Sequence, residues 1–382
     1  MDPEPGSMAA AAVPAALDAT LKEAFVLPLL EQLGRGHRQA ERGERRRPLI
    51  ALNGPVGAGK STLGRQLEDL GRKLGLLVIV ASIDNLYLTW PQRGERLAGN
   101  PFGVSRVPPG SHDLPLLLQA LETWRNGGML RLPLFDKALA DGAGDRAGWR
   151  QERCDALVLE GWLLGCRPLH ESRLRALVAA QAGPEPGAAI NRQATLPVGA
   201  QEAISLRPEE WAWLPRWNRE LEQYLPLWDA TDGLWLLRPI HWGLPRRWRF
   251  QAEARQRRSG GGWLPADVLD QLVRASLCSL PPALYQDPLI AGVPMDEDSI
   301  HGGALESTPQ MRSEGRGPQS EETPRQWPAE PCPLDARGSD QGASCAWHDQ
   351  PPVQAVAWLD GRRRCRRVWR QDSLSASSSA TG

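Results

Sequence analysis

Gly54-Pro55-Val56-Gly57-Ala58-Gly59-Lys60-Ser61 fits the pattern G-x-x-x-x-G-K-[ST] at every fixed position. In such a loop, glycines let successive backbone N–H groups point inward at phosphate oxygens. A helix starting at the lysine adds the positive end of its dipole, and the lysine adds a full charge. The serine hydroxyl can then complete a magnesium shell shared with the phosphates. The flanks suit this reading. Pro48-Leu49-Ile50-Ala51-Leu52-Asn53 reads as a short buried strand, and Ser61 to Leu70 has apolar residues at helical spacing, ending near Gly71. Nucleotide binding is therefore expected at Gly54, Pro55, Val56, Gly57, Ala58, Gly59, Lys60, Ser61 and Thr62.

Outward from the loop, apolar strands recur at 76–81, 156–159 and 234–237, with a helix from Leu114 to about Arg125. Strands apolar on both faces, alternating with helices, predict an α/β fold of P-loop NTPase type: three layers, a mainly parallel sheet and helices on both faces. Residues 17–33 have a helical pattern that Pro28 interrupts, and a charged linker is expected from Arg35 to Arg47. Asp141 to Gly148 reads as a mobile loop, and residues 182–200 as a loose Gly/Pro/Ala insertion in a domain over 48–290. Residues 1–16 and 291–352 read as disordered or long loop, the latter rich in Pro, Gly, Ser and Glu. In the tail 353–382, Ala355 to Asp360 returns to strand character. The adjacent Arg362-Arg363-Arg364 reads as a solvated strand end.

Across 382 residues, Lys plus Arg equals Asp plus Glu at 45 each, so net charge argues for neither a nucleic-acid nor a membrane partner. No apolar run approaches the ~20 residues of a membrane span. The alanine-rich stretch from Met8 lacks a basic leader and soon meets Asp18, which makes a poor signal peptide. Six scattered cysteines show no C-x-x-C pair, and a reduced, cytoplasmic setting is the plain expectation.

Two carboxylates stand at strand ends. Glu160 closes the strand Ala156–Leu159, where ligands gather in open parallel sheets, and can hold magnesium opposite Ser61; the competing reading is a cap on a neighbouring helix. Asp84 ends the strand after the phosphate-loop helix. It is a candidate base for an acceptor hydroxyl, or else a helix N-cap after that strand.

Six blocks in this order resemble the D-glycerate 3-kinase family, the plant and cyanobacterial glycerate kinases related to phosphoribulokinase and uridine kinase. They are Gly54–Thr62, Ser82–Thr89, Arg106–Asp113, Phe135-Asp136-Lys137, Gly144-Asp145-Arg146 and Glu160–Gly165. Trp248–Glu253 and Ala283-Leu284-Tyr285 are similar to that family's C-terminal segment. The family usually has two adjacent aspartates and then an aromatic after Ser-Ile; here stand Asp84, Asn85 and Leu86. The resemblance implies transfer of the γ-phosphate of ATP, with Mg2+, to the 3-hydroxyl of D-glycerate. It implies Asp84, Lys60, Lys137 and Arg146 as catalytic, Arg106, His112, Asp113 and Arg249 toward the carboxylate substrate, and Ser61 and Glu160 at the metal. A related kinase for a nucleoside or sugar phosphate, and a nucleotide-binding regulator without catalysis, stay open. The Asn-Lys-x-Asp motif of a guanine-reading switch is absent.

Overall fold

Leu49–Asn53 (β1) is buried at all five positions, and only a strand covered on both faces reads as so continuous an apolar run. The computed structural model describes residues 17–181, 204–260, 263–293 and 352–371. The expectations for 1–16, for 182–200 and for nearly all of 291–352 lie outside the described residues. β1 pairs in parallel with Ala156–Gly161 (β5) on one side and Gly233–Pro239 (β6) on the other. Val78–Ser82 (β2) lies outside β5, and Val353–Leu359 (β7) outside β6, both parallel; Cys365–Arg370 (β8) closes the edge antiparallel to β7.

The chain steps from β1 past one strand position to β2 and returns through β5, whereas β6 lies on the opposite side of β1. The order thus reverses at β1, and a crevice opens at its carboxyl end. Register brings Leu52, Glu160 and Ser82 to one level, so the loops after β1, β2 and β5 emerge together.

Alternation along β1 feeds two cores. Leu49 and Ala51 pack with Leu117, Leu121, Trp124 and Trp217, while Ile50 and Leu52 pack with Phe25, Leu29, Leu63 and Leu67. Helices Lys60–Lys73 and 19–41 cover this second face. Helices Leu114–Arg125, Pro208–Glu220 and Ala266–Cys278 cover the first. This is the expected three-layer α/β arrangement.

Three expectations are corrected. The first helix does not give way to a linker at Arg35; it runs through Glu41, with a π turn at Lys22–Val26 just before Pro28. The apolar stripe that reveals the helix stops at Leu33, but polar residues carry its outer turns, with His37 beside Glu41 at 3.5 Å. Gly36 lets the helix close on Pro48, where a Cβ would stand 2.9 Å from the proline's own.

The 141–148 loop is shorter than expected. Asp145–Glu152 (β4) pairs antiparallel with Leu130–Asp136 (β3), Asp136 opposite Asp145. β4 is mostly solvent-exposed and carries no apolar alternation, so nothing in its pattern marks a strand. Finally, Arg362 and Arg364 are exposed, as a solvated strand end should be, but Arg363 is half-buried, and all three line the cavity that holds the phosphate loop.

Candidate active site

The loop between β1 and helix Lys60–Lys73 folds as its glycines require. Gly57 and Gly59 take φ of +76° and +95°, the left-handed region that a Cβ disfavours. A Cβ on Gly57 would also lie 2.7 Å from the Arg249 backbone nitrogen. Among the described residues, the amides of Gly57 and Gly59 donate to no protein acceptor, which leaves them for a phosphate chain. Lys60 Nζ folds back to the carbonyls of Gly54 at 2.7 Å and Pro55 at 3.2 Å. Its burial outweighs the nearby Glu160 and Asp84 charges and lowers its pKa below the ordinary lysine value.

Ser61, one residue on, donates its hydroxyl to Glu160 Oε1 at 3.0 Å, and Lys60 Nζ stands 3.9 Å from Glu160 Oε2. A hydroxyl and a carboxylate side by side are the hard oxygen donors that magnesium takes when phosphates supply further ligands. No group of three or more His, Cys, Asp or Glu side chains forms a metal cluster among the described residues.

Asp84 sits on the short turn Ile83–Leu86, whose start is capped by the Ser82 hydroxyl accepting from the Asp84 amide. Tyr87 Oη donates to Asp84 Oδ1 at 3.0 Å, and Lys137 Nζ is 3.8 Å from Oδ2. Burial raises the Asp84 pKa, but Lys137, His112, the Tyr87 hydrogen bond and Lys60 oppose it and hold the carboxyl below its usual range. His112 itself is driven down to about 4 by burial, so at neutral pH it carries no charge and the holding falls to the other three. Asp84, Asn85, Lys137, Glu160, Trp162, Arg249 and the phosphate loop line one cavity of about 860 Å³.

The remaining expected residues do not line that cavity. Arg146 donates from Nη2 to Asp113 Oδ2 at 2.7 Å and from Nε to the Tyr87 carbonyl at 3.1 Å. Asp113 also N-caps helix Leu114–Arg125 through the Leu116 amide. Arg106 is buried and braces the turn before β4 by donating to the carbonyls of Gly142 and Ala143. His112 Nδ1 meets Tyr224 Oη at 2.7 Å, and its ring stacks on Tyr87, centroids 4.7 Å apart. Arg146, Arg106, Asp113 and Nδ1 of His112 hydrogen-bond to the frame that carries Asp84 and Tyr87, whereas Nε2 of His112 is buried with no partner among the described residues. Arg249 lines the cavity on the Gly57 side and pairs with Glu253 at 2.9 Å.

Sequence reasoning gave no site role to three residues that the structure places at the cavity or its frame. Arg93 is fully buried and donates to the carbonyls of Leu88, Ser105, Ala143 and Gly144. Tyr224 accepts from the Gly110 amide at 3.2 Å and meets His112. Arg363 reaches the phosphate loop itself. Each makes contacts far along the chain, 51 residues from Arg93 to Gly144, 114 from Tyr224 to Gly110 and 306 from Arg363 to Gly57, and no local motif marks it. Cys154, Cys166, Cys278 and Cys365 are free and buried, and no helix of the described residues is long and apolar enough to cross a membrane.

No family model matches the chain. It is 26% identical over 238 residues to a chloroplastic D-glycerate 3-kinase of Arabidopsis thaliana, a match spanning 59% of this chain and 45% of that protein. The match thus takes in less than half the length of that relative. An uncharacterized kinase of Schizosaccharomyces pombe, mug58, is 26% identical over 216 residues, 54% of this chain and 69% of its own. Among solved structures, a D-glycerate 3-kinase from Cryptococcus neoformans var. grubii superposes with a TM-score of 0.60 at 20% identity, covering 91% of this chain and 99% of that one. In sequence the chain is similar to proteins named as kinases, and in fold it is similar to a D-glycerate 3-kinase.

Proposed function

We propose that this protein is a small-molecule kinase that transfers the γ-phosphoryl group of Mg-ATP to the 3-hydroxyl of D-glycerate. The observation that carries the reading is the meeting of five side chains on one cavity: Lys60 and Ser61 on the loop, Glu160 beside Ser61, and Asp84 facing them with Lys137. Phosphoryl transfer asks for little covalent chemistry from the protein and much positioning and charge. The similarity to proteins named D-glycerate 3-kinase supports the acceptor.

In this reading the loop amides and Lys60 hold the phosphate chain, and Ser61 with Glu160 would hold Mg2+, which would supply charge to offset that of the phosphates. Asp84, ionised at neutral pH, accepts the proton of the acceptor hydroxyl. Tyr87 fixes its Oδ1, and Oδ2 on the Lys137 side is the oxygen that takes the proton. Lys137 meets the carboxylate of an acidic acceptor. Trp162 Nε1, buried on the cavity wall with no partner among the described residues, offers a further donor there.

A coupled assay of ADP release tests the reading, with D-glycerate, uridine, pantothenate and ribulose 5-phosphate as acceptors. D-Glycerate is expected to give the highest kcat/KM. A better rate with another acceptor would remove glycerate and keep the kinase. No acceptor-dependent release, with nucleotide bound, would favour a regulator.

A further inference from the structure

The hairpin turn between β7 and β8 is built around Asp360. Its amide donates to the Arg364 carbonyl at 3.0 Å and its carbonyl accepts from the Arg363 amide at 2.8 Å, closing a loop of Gly361, Arg362 and Arg363. Its carboxylate is spent on the same turn: Oδ1 accepts the amides of Arg362 and Arg364, and Oδ2 pairs with Arg366 at 2.6 Å. The third position of such a loop takes the left-handed conformation for which glycine is the favoured residue. Here it is Arg363, at φ +62°.

The arginine side chain has work that a glycine could not do. Its Nε donates to the Gly57 carbonyl at 2.6 Å and its Nη2 to the Trp248 carbonyl at 2.5 Å. The guanidinium lies 5.9 Å from the centroid of the Trp248 ring, and Trp248 Nε1 donates back to the Gly361 carbonyl at 3.2 Å. Gly57 rests on the backbone of Trp248 and Arg249 without room for a Cβ. The loop apex, the helix Leu244–Arg258 and the hairpin turn are thus tied at one point.

We propose that Arg363 is a positioning residue for the phosphate loop: its planar fork clamps Gly57 to the Trp248 backbone and presets the loop amides for a phosphate chain. The inference rests on the nucleotide-site reading above but not on the acceptor. Arginine suits the task because one rigid group reaches two carbonyls that a lysine would have to choose between. A non-glycine residue kept at positive φ is an expense that the surroundings must over-determine, and the two carbonyls do so.

Arg363→Gly fits the turn better than the native residue and removes the clamp. Mg-ATP and inorganic tripolyphosphate are titrated calorimetrically into the full-length wild type, Arg363→Gly and Arg363→Lys. Expected is a loss of about tenfold in affinity, equal for both ligands, in the glycine variant with its melting temperature unchanged or raised. Arg363→Lys, which keeps the charge without the fork and provides a second folded variant, should keep most of the loss. Unchanged affinities, or a loss confined to ATP that would place Arg363 on the nucleoside, overturn the clamp. Wild type binding neither ligand would instead overturn the nucleotide site itself.

Discussion

The phenol of Tyr87 donates to Asp84 Oδ1 at 3.0 Å from a position with no solvent exposure. Tyr87 is itself held: an isolated antiparallel bridge joins its backbone to His112, the two rings stack, and Tyr224 grips His112 from behind. Burial, reinforced by Asp84, raises the phenol's pKa well above its ordinary value, so Tyr87 is a permanent donor. Asp84 therefore has one oxygen fixed from behind and one toward Lys137.

Tyr87→Phe should keep the stacking and lose only that donation. The hydrogen bond lowers the Asp84 pKa, so removing it raises the pKa and moves the acid limb of kcat/KM to higher pH. A pH–rate profile of the variant checks this. An unmoved limb would separate Tyr87 from the titration of the base.

Lys60 and Asp84 should divide binding from chemistry. Lys60→Ala loses charge against the phosphates and is expected to weaken nucleotide binding and turnover together. Asp84→Asn should bind Mg-ATP as tightly as wild type and lose about a thousandfold in kcat. Calorimetric ATP titration beside steady-state rates distinguishes the two. Glu160→Gln, placed on Ser61, should raise the magnesium concentration needed for half-maximal rate.

His112 makes the protein acid-sensitive. Its folded pKa of about 4 lies below the ordinary histidine value, so the neutral form is favoured by folding. That stability is complete above pH 6.5 or so and is lost as pH falls toward 4, by about 3 kcal/mol at the lower end. Urea unfolding at pH 7 and at pH 4.5 should show this loss in wild type. His112→Asn, which keeps an acceptor near Tyr224 without titrating, should show most of it abolished.

The strands at the centre of the sheet were legible because β1, β5 and β6 are buried on both faces and read as unbroken apolar runs. The carboxylates Asp84 and Glu160 were legible because a parallel sheet delivers its strand ends to one edge. Arg146, Arg106, Asp113 and His112 stood in the right blocks, but blocks do not say which way a side chain turns. Side-chain partners of Arg146, Arg106 and His112 lie 33, 36 and 112 residues away. Arg363 is 306 residues from Gly57, and only the β7–β8 register brings it there. β4 was hidden for the opposite reason: an exposed hairpin strand needs no apolar period.

Arg146 offers the clearest contrast between the two levels of reading. Direct stabilisation of the transferring phosphoryl group would make its loss cost about a thousandfold in kcat with little effect on folding. The geometry instead ties it to Asp113 at 2.7 Å and to the Tyr87 carbonyl at 3.1 Å, with both charged side chains about one-fifth exposed. A partly buried ion pair of that kind is worth about 2 kcal/mol when one member is removed, because the other is left desolvated. Arg146→Met and Asp113→Asn should therefore each lower stability by about that amount, the asparagine still capping the helix. The double variant should be hardly worse than either alone, since the two substitutions remove the same interaction. Denaturant unfolding of the four proteins measures the coupling. Activity in Arg146→Met should fall far less than in Asp84→Asn, and a thousandfold loss without destabilisation would return the arginine to the reacting phosphate.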